Sequence, residues 1–99
     1  MGLAVCRIGD ADLPHCSAMV RATGSTNVFV NGIGISRQLD INTPHLLPGS
    51  PCPTHVAPIQ SGSSTVKVNG RGCGRIGDSL FDCTFVATGS LNVFAGPFF

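Results

Sequence analysis

Gly62-Ser63-Ser64-Thr65-Val66-Lys67-Val68-Asn69-Gly70-Arg71-Gly72-Cys73-Gly74-Arg75-Ile76-Gly77-Asp78 reads as a β-hairpin. Polar and apolar residues alternate on either side of Asn69-Gly70. An Asn-Gly pair so placed accepts the two positive φ angles that a tight hairpin turn requires. The same plan recurs without a gap in Gly24-Ser25-Thr26-Asn27-Val28-Phe29-Val30-Asn31-Gly32-Ile33-Gly34-Ile35-Ser36-Arg37-Gln38-Leu39-Asp40. A repeated unit decides the architecture before any single residue does. A third copy is divided between the ends of the chain. Gly89-Ser90-Leu91-Asn92-Val93-Phe94-Ala95-Gly96 supplies the outgoing strand, and Gly2-Leu3-Ala4-Val5-Cys6-Arg7-Ile8-Gly9-Asp10 the returning one. Gly2 to Arg7, Gly32 to Arg37 and Gly70 to Arg75 are each five residues apart. That common spacing predicts that the first and last strands pair, closing three hairpins into a body with no open sheet edge.

The expected fold is therefore all-β, a small pseudo-three-fold β-cone with little or no helix, in a single domain over residues 1–99. Thirteen glycines and seven prolines suit short strands and tight turns, and no long 3.6-residue periodicity argues for a helix. Only 11% of residues are charged and the net charge is +1, which leaves no basic field for nucleic acid or anionic lipid. No run approaches the roughly 20 apolar residues that span a bilayer. The N-terminus has Arg7 but no apolar core, so no signal peptide is expected, and any export would follow another route. Five cysteines make an odd number, favouring thiols or metal ligands over a disulfide framework.

Alternation assigns the faces. Val28, Val66 and Val93 align with one another, as do Val30, Val68 and Ala95, and these positions are expected inside. The interleaved Phe29, Lys67 and Phe94 include a lysine, so that face is expected outside. Gly34, Gly72, Gly74 and Ala4 suit return strands that crowd toward an axis.

The connections between hairpins carry the candidate chemistry. Five residues after Asp10, Asp40 and Asp78 stand His15, His45 and Cys83. A three-fold body brings equivalent positions together around its axis, at the end away from the Asn-Gly turns. The fourth corner of a tetrahedron then falls to the long, proline-rich middle connection, whose one histidine besides His45 is His55. Cys52 and Cys16 compete for that corner. Three imidazoles and one thiolate form a closed shell for Zn²⁺, and Fe²⁺ accepts the same ligands. A closed shell leaves no position for water, so the metal would be structural. Asp10, Asp40 and Asp78 each follow an arginine by three residues, and read as exposed, turn-stabilising ion pairs of small energetic value. No nucleophile elbow, phosphate loop or His-Glu-x-x-His appears, so no catalytic residue is assigned.

The pattern Gly-Ser-x-x-Val-x-Val-Asn-Gly followed by Arg-x-x-Asp, its three-fold recurrence, and the terminal Gly89 to Gly96 segment resemble the PAAR-repeat proteins. The tetrapeptide that names the family is replaced here by Gly34-Ile35-Ser36-Arg37, Gly72-Cys73-Gly74-Arg75 and Ala4-Val5-Cys6-Arg7, which keep only the arginine. The resemblance implies a conical tip that caps a trimeric β-helical spike (VgrG-type, or a phage central spike) in a contractile injection machine. Such machines include type VI secretion systems, phage tails and extracellular injection particles. It implies a monomer on a trimer, made in the cytoplasm, carried at the spike tip and meeting a target membrane only transiently. It also implies an apical zinc held by His15, His45, His55 and Cys83. Larger members carry toxin domains at either end; here the cone uses up the chain, so no fused effector is expected.

The turn face, with Asn31, Gly32, Asn69, Gly70 and the neighbouring Phe98 and Phe99, is the expected contact with the spike. Strand addition there would satisfy open backbone groups. The rivals are a small zinc hydrolase or redox thiol protein, which would need an open coordination position or an activated cysteine, and a metallothionein-like buffer.

Overall fold

The computed structural model describes residues 2–14, 18–44, 56–81 and 84–96. Among them no helix forms, and the strands are two residues each: β1 (Leu3–Ala4), β2 (Phe29–Val30), β3 (Ile33–Gly34), β4 (Lys67–Val68), β5 (Arg71–Gly72) and β6 (Phe94–Ala95). They pair antiparallel as β2–β3, β4–β5 and β1–β6, so the third hairpin is made from the two ends of the chain. The register is the same in all three. Phe29 faces Gly34, Lys67 faces Gly72, and Phe94 faces Ala4. Asn31 and Gly32, at φ 56° and 77°, and Asn69 and Gly70, at 54° and 80°, make the two covalent turns in the left-handed region that Asn and Gly tolerate.

Each outgoing strand is started by a serine. The Oγ atoms of Ser25, Ser63 and Ser90 accept the amides two and three residues on, which turns the chain into the strand. Their own amides donate to Ile35, Cys73 and Val5, fastening each outgoing segment to its return strand.

Beyond the turns the three return strands join one another. Val5 bridges Arg75, Cys73 bridges Arg37, and Ile35 bridges Arg7, so the pairing passes around the body and returns to its origin. At the waist this becomes a closed cycle of backbone bonds. Cys6 donates to Gly74, Gly74 to Ser36 and Ser36 to Cys6, at 3.0, 3.0 and 3.1 Å. With both sides of each return strand engaged, short strands acquire the cooperativity that an isolated hairpin lacks.

Two apolar clusters flank the waist. Val5, Val30, Ile35, Val68, Cys73 and Ala95 fill the hairpin end, and Cys6, Ala57, Ile59, Leu80 and Val86 the other. Phe29, Lys67 and Phe94 lie outside, as alternation requires. Two expectations are corrected. Val28 and Val93 pack only partly against the first cluster, and Val66 is 39% exposed. Their amides are held in the serine turns, before the strand and its period of two begin. Of the small residues, Gly34 and Gly72 press against the serine turns of their own hairpins, whereas Gly74 crowds the axis.

Candidate functional site

At the hairpin end the two Asn-Gly turns are exposed, but their asparagine side chains are occupied. Asn31 accepts from Arg7 and Ser90 and donates to Asn92. Asn69 accepts from Arg37 and donates to Asn27. The two side chains therefore clasp neighbouring hairpins, and the backbone of the turns is left at the surface. Phe98 and Phe99 lie outside the described residues.

Above the waist each Arg-x-x-Asp closes a turn on itself. The carboxylates of Asp10, Asp40 and Asp78 take the amides of Arg7, Arg37 and Arg75 at 2.7 Å. The guanidiniums reach the same carboxylates at 2.8, 2.7 and 2.9 Å. A hydroxyl from another segment completes each group: Thr88 on Asp10, Thr23 on Asp40, Ser61 on Asp78. These pairs are not exposed, contrary to the sequence expectation. The Arg75 and Asp78 side chains keep only 9% and 4% of their surface. Ring closure buries them: Ile8, Gln38 and Ile76 within the turns donate to Gly34, Gly72 and Ala4 of the neighbouring hairpins. Burial raises the Asp10 and Asp40 carboxyls. The arginine side chain and amide, with the threonine hydroxyl, outweigh that and hold both below the ordinary carboxylate range. Arg7 and Arg37 are raised chiefly by the same hydrogen bonds.

From each aspartate the chain enters a short ribbon. Arg21 donates to Asp10, Ile59 to Asp40 and Val86 to Asp78, at 2.8, 3.0 and 3.0 Å. The far edge of the ribbons is again a cycle: Leu13 donates to Phe85, Phe81 to Pro58 and Thr43 to Val20, at 2.9, 3.0 and 2.8 Å. One predicted ligand position, His15, Cys83 or His45, lies two residues beyond each of these donors. His15, His45, His55 and Cys83 themselves, with the competing Cys16 and Cys52, lie outside the described residues. Among the described residues, no group of three or more His, Cys, Asp and Glu side chains is placed to hold a metal.

Cys6 and Cys73 are buried free thiols. Burial pushes Cys6 far up and Cys73 to about 11, so neither is an activated nucleophile.

One constellation went unread in the sequence. Arg21, Asp12 and Asn42 are buried together, with Arg21 Nη2 3.2 Å from Asp12 Oδ2 and Asn42 Nδ2 3.1 Å from the same oxygen. The signal was available. Arg21, Ile59 and Val86 each precede a Gly-Ser by three residues, so a cation stands where two sister repeats carry aliphatic side chains.

The family model described as the PAAR motif matches residues 8–80. No curated protein matches the chain. The motif is associated with spike-tip proteins of contractile injection systems, a structural family that sits on spike proteins within secreted machinery. Among the described residues no helix is long and apolar enough to cross a membrane. The match takes in both covalent hairpins, the Arg37-to-Asp40 and Arg75-to-Asp78 turns and the first two ribbons, and by that span the chain belongs to the PAAR-motif family.

Proposed function

We propose that the protein is a metal-stabilised tip that caps the trimeric β-helical spike of a contractile injection machine and sharpens it for membrane piercing. The observation that carries this reading is the three-fold closure. One chain presents three hairpins in equivalent register, ringed by backbone bonds at the waist and again at the ribbon edge. Such a body offers each chain of a trimer an equivalent hairpin end, which is how a monomer seats on a three-fold partner.

The metal belongs to the same reading. The ribbon-edge cycle holds Leu13, Thr43 and Phe81 in fixed relation, and the predicted ligands follow each by two residues. The donor set fits: His15, His45, His55 and Cys83 would hold Zn²⁺ or Fe²⁺ in a closed shell. A cation there would cross-link the three connections and stiffen the tip, with no open position for a substrate.

Native mass spectrometry of the protein co-expressed with the spike of its own injection system tests both halves. The expected species contains one copy per three spike chains and one bound metal ion, and the His45→Ala/His55→Ala variant loses the metal. Failure to associate with the trimer overturns the capping role, and metal retained by the double variant overturns the ligand set.

A further inference from the structure

The buried Arg21–Asp12–Asn42 constellation has no evident purpose in stability. Its backbone equivalents are Ile59 and Val86 for Arg21, and Leu80 for Asp12 and Asn42, and all three are buried aliphatic residues. The fold accepts hydrocarbon at these places. Replacing a buried ion pair with well-packed apolar residues is commonly neutral or stabilising. Here the pair is also imperfect, because Arg21 Nε finds no acceptor among the described residues. A costly arrangement at one corner of a pseudo-symmetric body calls for a local reason.

Its hydrogen bonds supply one. Arg21 Nη1 donates to the Asp40 carbonyl and Nη2 to the Ala57 carbonyl, both at 3.2 Å. Asn42 Oδ1 accepts the Ala57 amide at 2.8 Å, while its Nδ2 is anchored on Asp12. Both backbone groups of Ala57 are therefore held by side chains. Ala57 and Asn42 are the two sides of the neck from which the connection 43–56 departs. In the other ribbons the corresponding connections are 13–18 and 81–83, each far shorter. A long connection loses more freedom on closure, and its ends need firmer fixing. Asp12 belongs to the ribbon that leads to His15, so the same group ties two connections together.

We infer that Arg21, Asp12 and Asn42 form a buried polar clamp that closes the neck of the 43–56 connection, and that Arg21 is a positioning residue for the metal ligands carried there. The inference rests on the metal reading for its second half only. Arg21 acts through the backbone of Ala57. The planar fork is essential, since a lysine ammonium cannot span two carbonyls with fixed geometry.

Two full-length variants test it. In Arg21→Ile/Asp12→Leu/Asn42→Leu the clamp is replaced by the residues of the sister repeats. In Arg21→Lys the buried cation is kept but not its fork. Amide hydrogen exchange is read at Ala57, with Gln60, which bonds Ser79 in the adjoining segment, as the internal reference. Zn²⁺ affinity is read by competition with a chromophoric chelator. The clamp predicts that Ala57 exchanges at least about tenfold faster in both variants while Gln60 is unchanged. It also predicts a fall in Zn²⁺ affinity of about 10–100-fold, the usual consequence of losing an orienting contact behind a ligand. Ala57 protection equal to that of the wild type in Arg21→Lys overturns the clamp, whatever the triple variant does. If Ala57 loosens but Zn²⁺ affinity holds, the positioning role falls. Should the wild type bind no Zn²⁺, the metal reading fails by itself, and Ala57 exchange still decides the clamp.

Discussion

Gly74 stands where the three return strands come closest. A Cβ there would lie 2.5 Å from the Ser36 carbonyl oxygen, 2.7 Å from Cys6 Sγ and 2.9 Å from Ile59 Cδ1. The waist therefore has room for two small side chains, those of Cys6 and Ser36, and none for a third. Gly32 is constrained differently: its φ of 77° is left-handed, yet a Cβ would meet nothing within 4 Å. Gly74→Ala is expected to cost about 2–3 kcal/mol as overpacking against the Ser36 carbonyl, which the ring of backbone bonds holds in place. Gly32→Ala is expected to cost about 1 kcal/mol, the strain of an L-residue in the left-handed region. Denaturant unfolding of the two variants checks the ranking, and equal losses would refute the account of the waist.

At the scale of the element, the Arg-x-x-Asp turn joins backbone amide, guanidinium and a hydroxyl from another segment on one carboxylate. Asp10 and Asp40 are held below their ordinary range when folded. A carboxyl with a depressed folded pKa contributes stability that is fully present above its unfolded value, about 3.9. That contribution is lost as pH falls through the folded value. The contribution of these two carboxylates to the thermal midpoint should therefore be constant from neutrality to about pH 5 and fall steeply below about pH 4. Asp40→Asn should lower the neutral midpoint, at a cost of about 1–3 kcal/mol from buried donors left short of a charge. It should also flatten the acid limb. An acid limb as steep in the variant as in the wild type would remove Asp40 as a source. The sequence disclosed the i,i+3 pairing in these turns but not their burial. Burial comes with the contacts that other repeats make to them, and local spacing carries no record of those. Asn31-Gly32 and Asn69-Gly70 were legible because turn chemistry is local. The pairing of β1 with β6 was legible because Gly2 to Arg7 keeps the spacing of the covalent hairpins. Arg21 was missed because reading forward from each aspartate passes over it; reading back from each Gly-Ser would have found it. The candidate ligands were legible only as positions, through the offset from each aspartate.

Across the whole molecule the hairpins differ in connectivity but not in bonding. The chain-end hairpin lacks a covalent turn between Gly96 and Gly2, yet Val5 donates to Val93 at 3.0 Å, much as Ile35 donates to Val28 and Cys73 to Val66. Its β1–β6 seam is where fraying begins, because no turn limits the separation of its strands. The waist is another matter. Cys6, Ser36 and Gly74 each give a backbone bond to one neighbour and take one from the other, so none of the three can open while the others stay closed. Opening also exposes both apolar clusters, which lie on either side of this level. Native-state hydrogen exchange should then return one opening free energy for the amides of Cys6, Ser36 and Gly74, equal to that of global unfolding. The amide of Leu3 or Ala4 in the seam should open at lower free energy, and mild denaturant should leave that difference until the global transition overtakes it. A spread above about 1 kcal/mol among the three waist amides would mean that the ring opens piecemeal, as independent hairpins do. The proposed role as a tip under compression calls for the single value, since force applied at any hairpin is then resisted by all three.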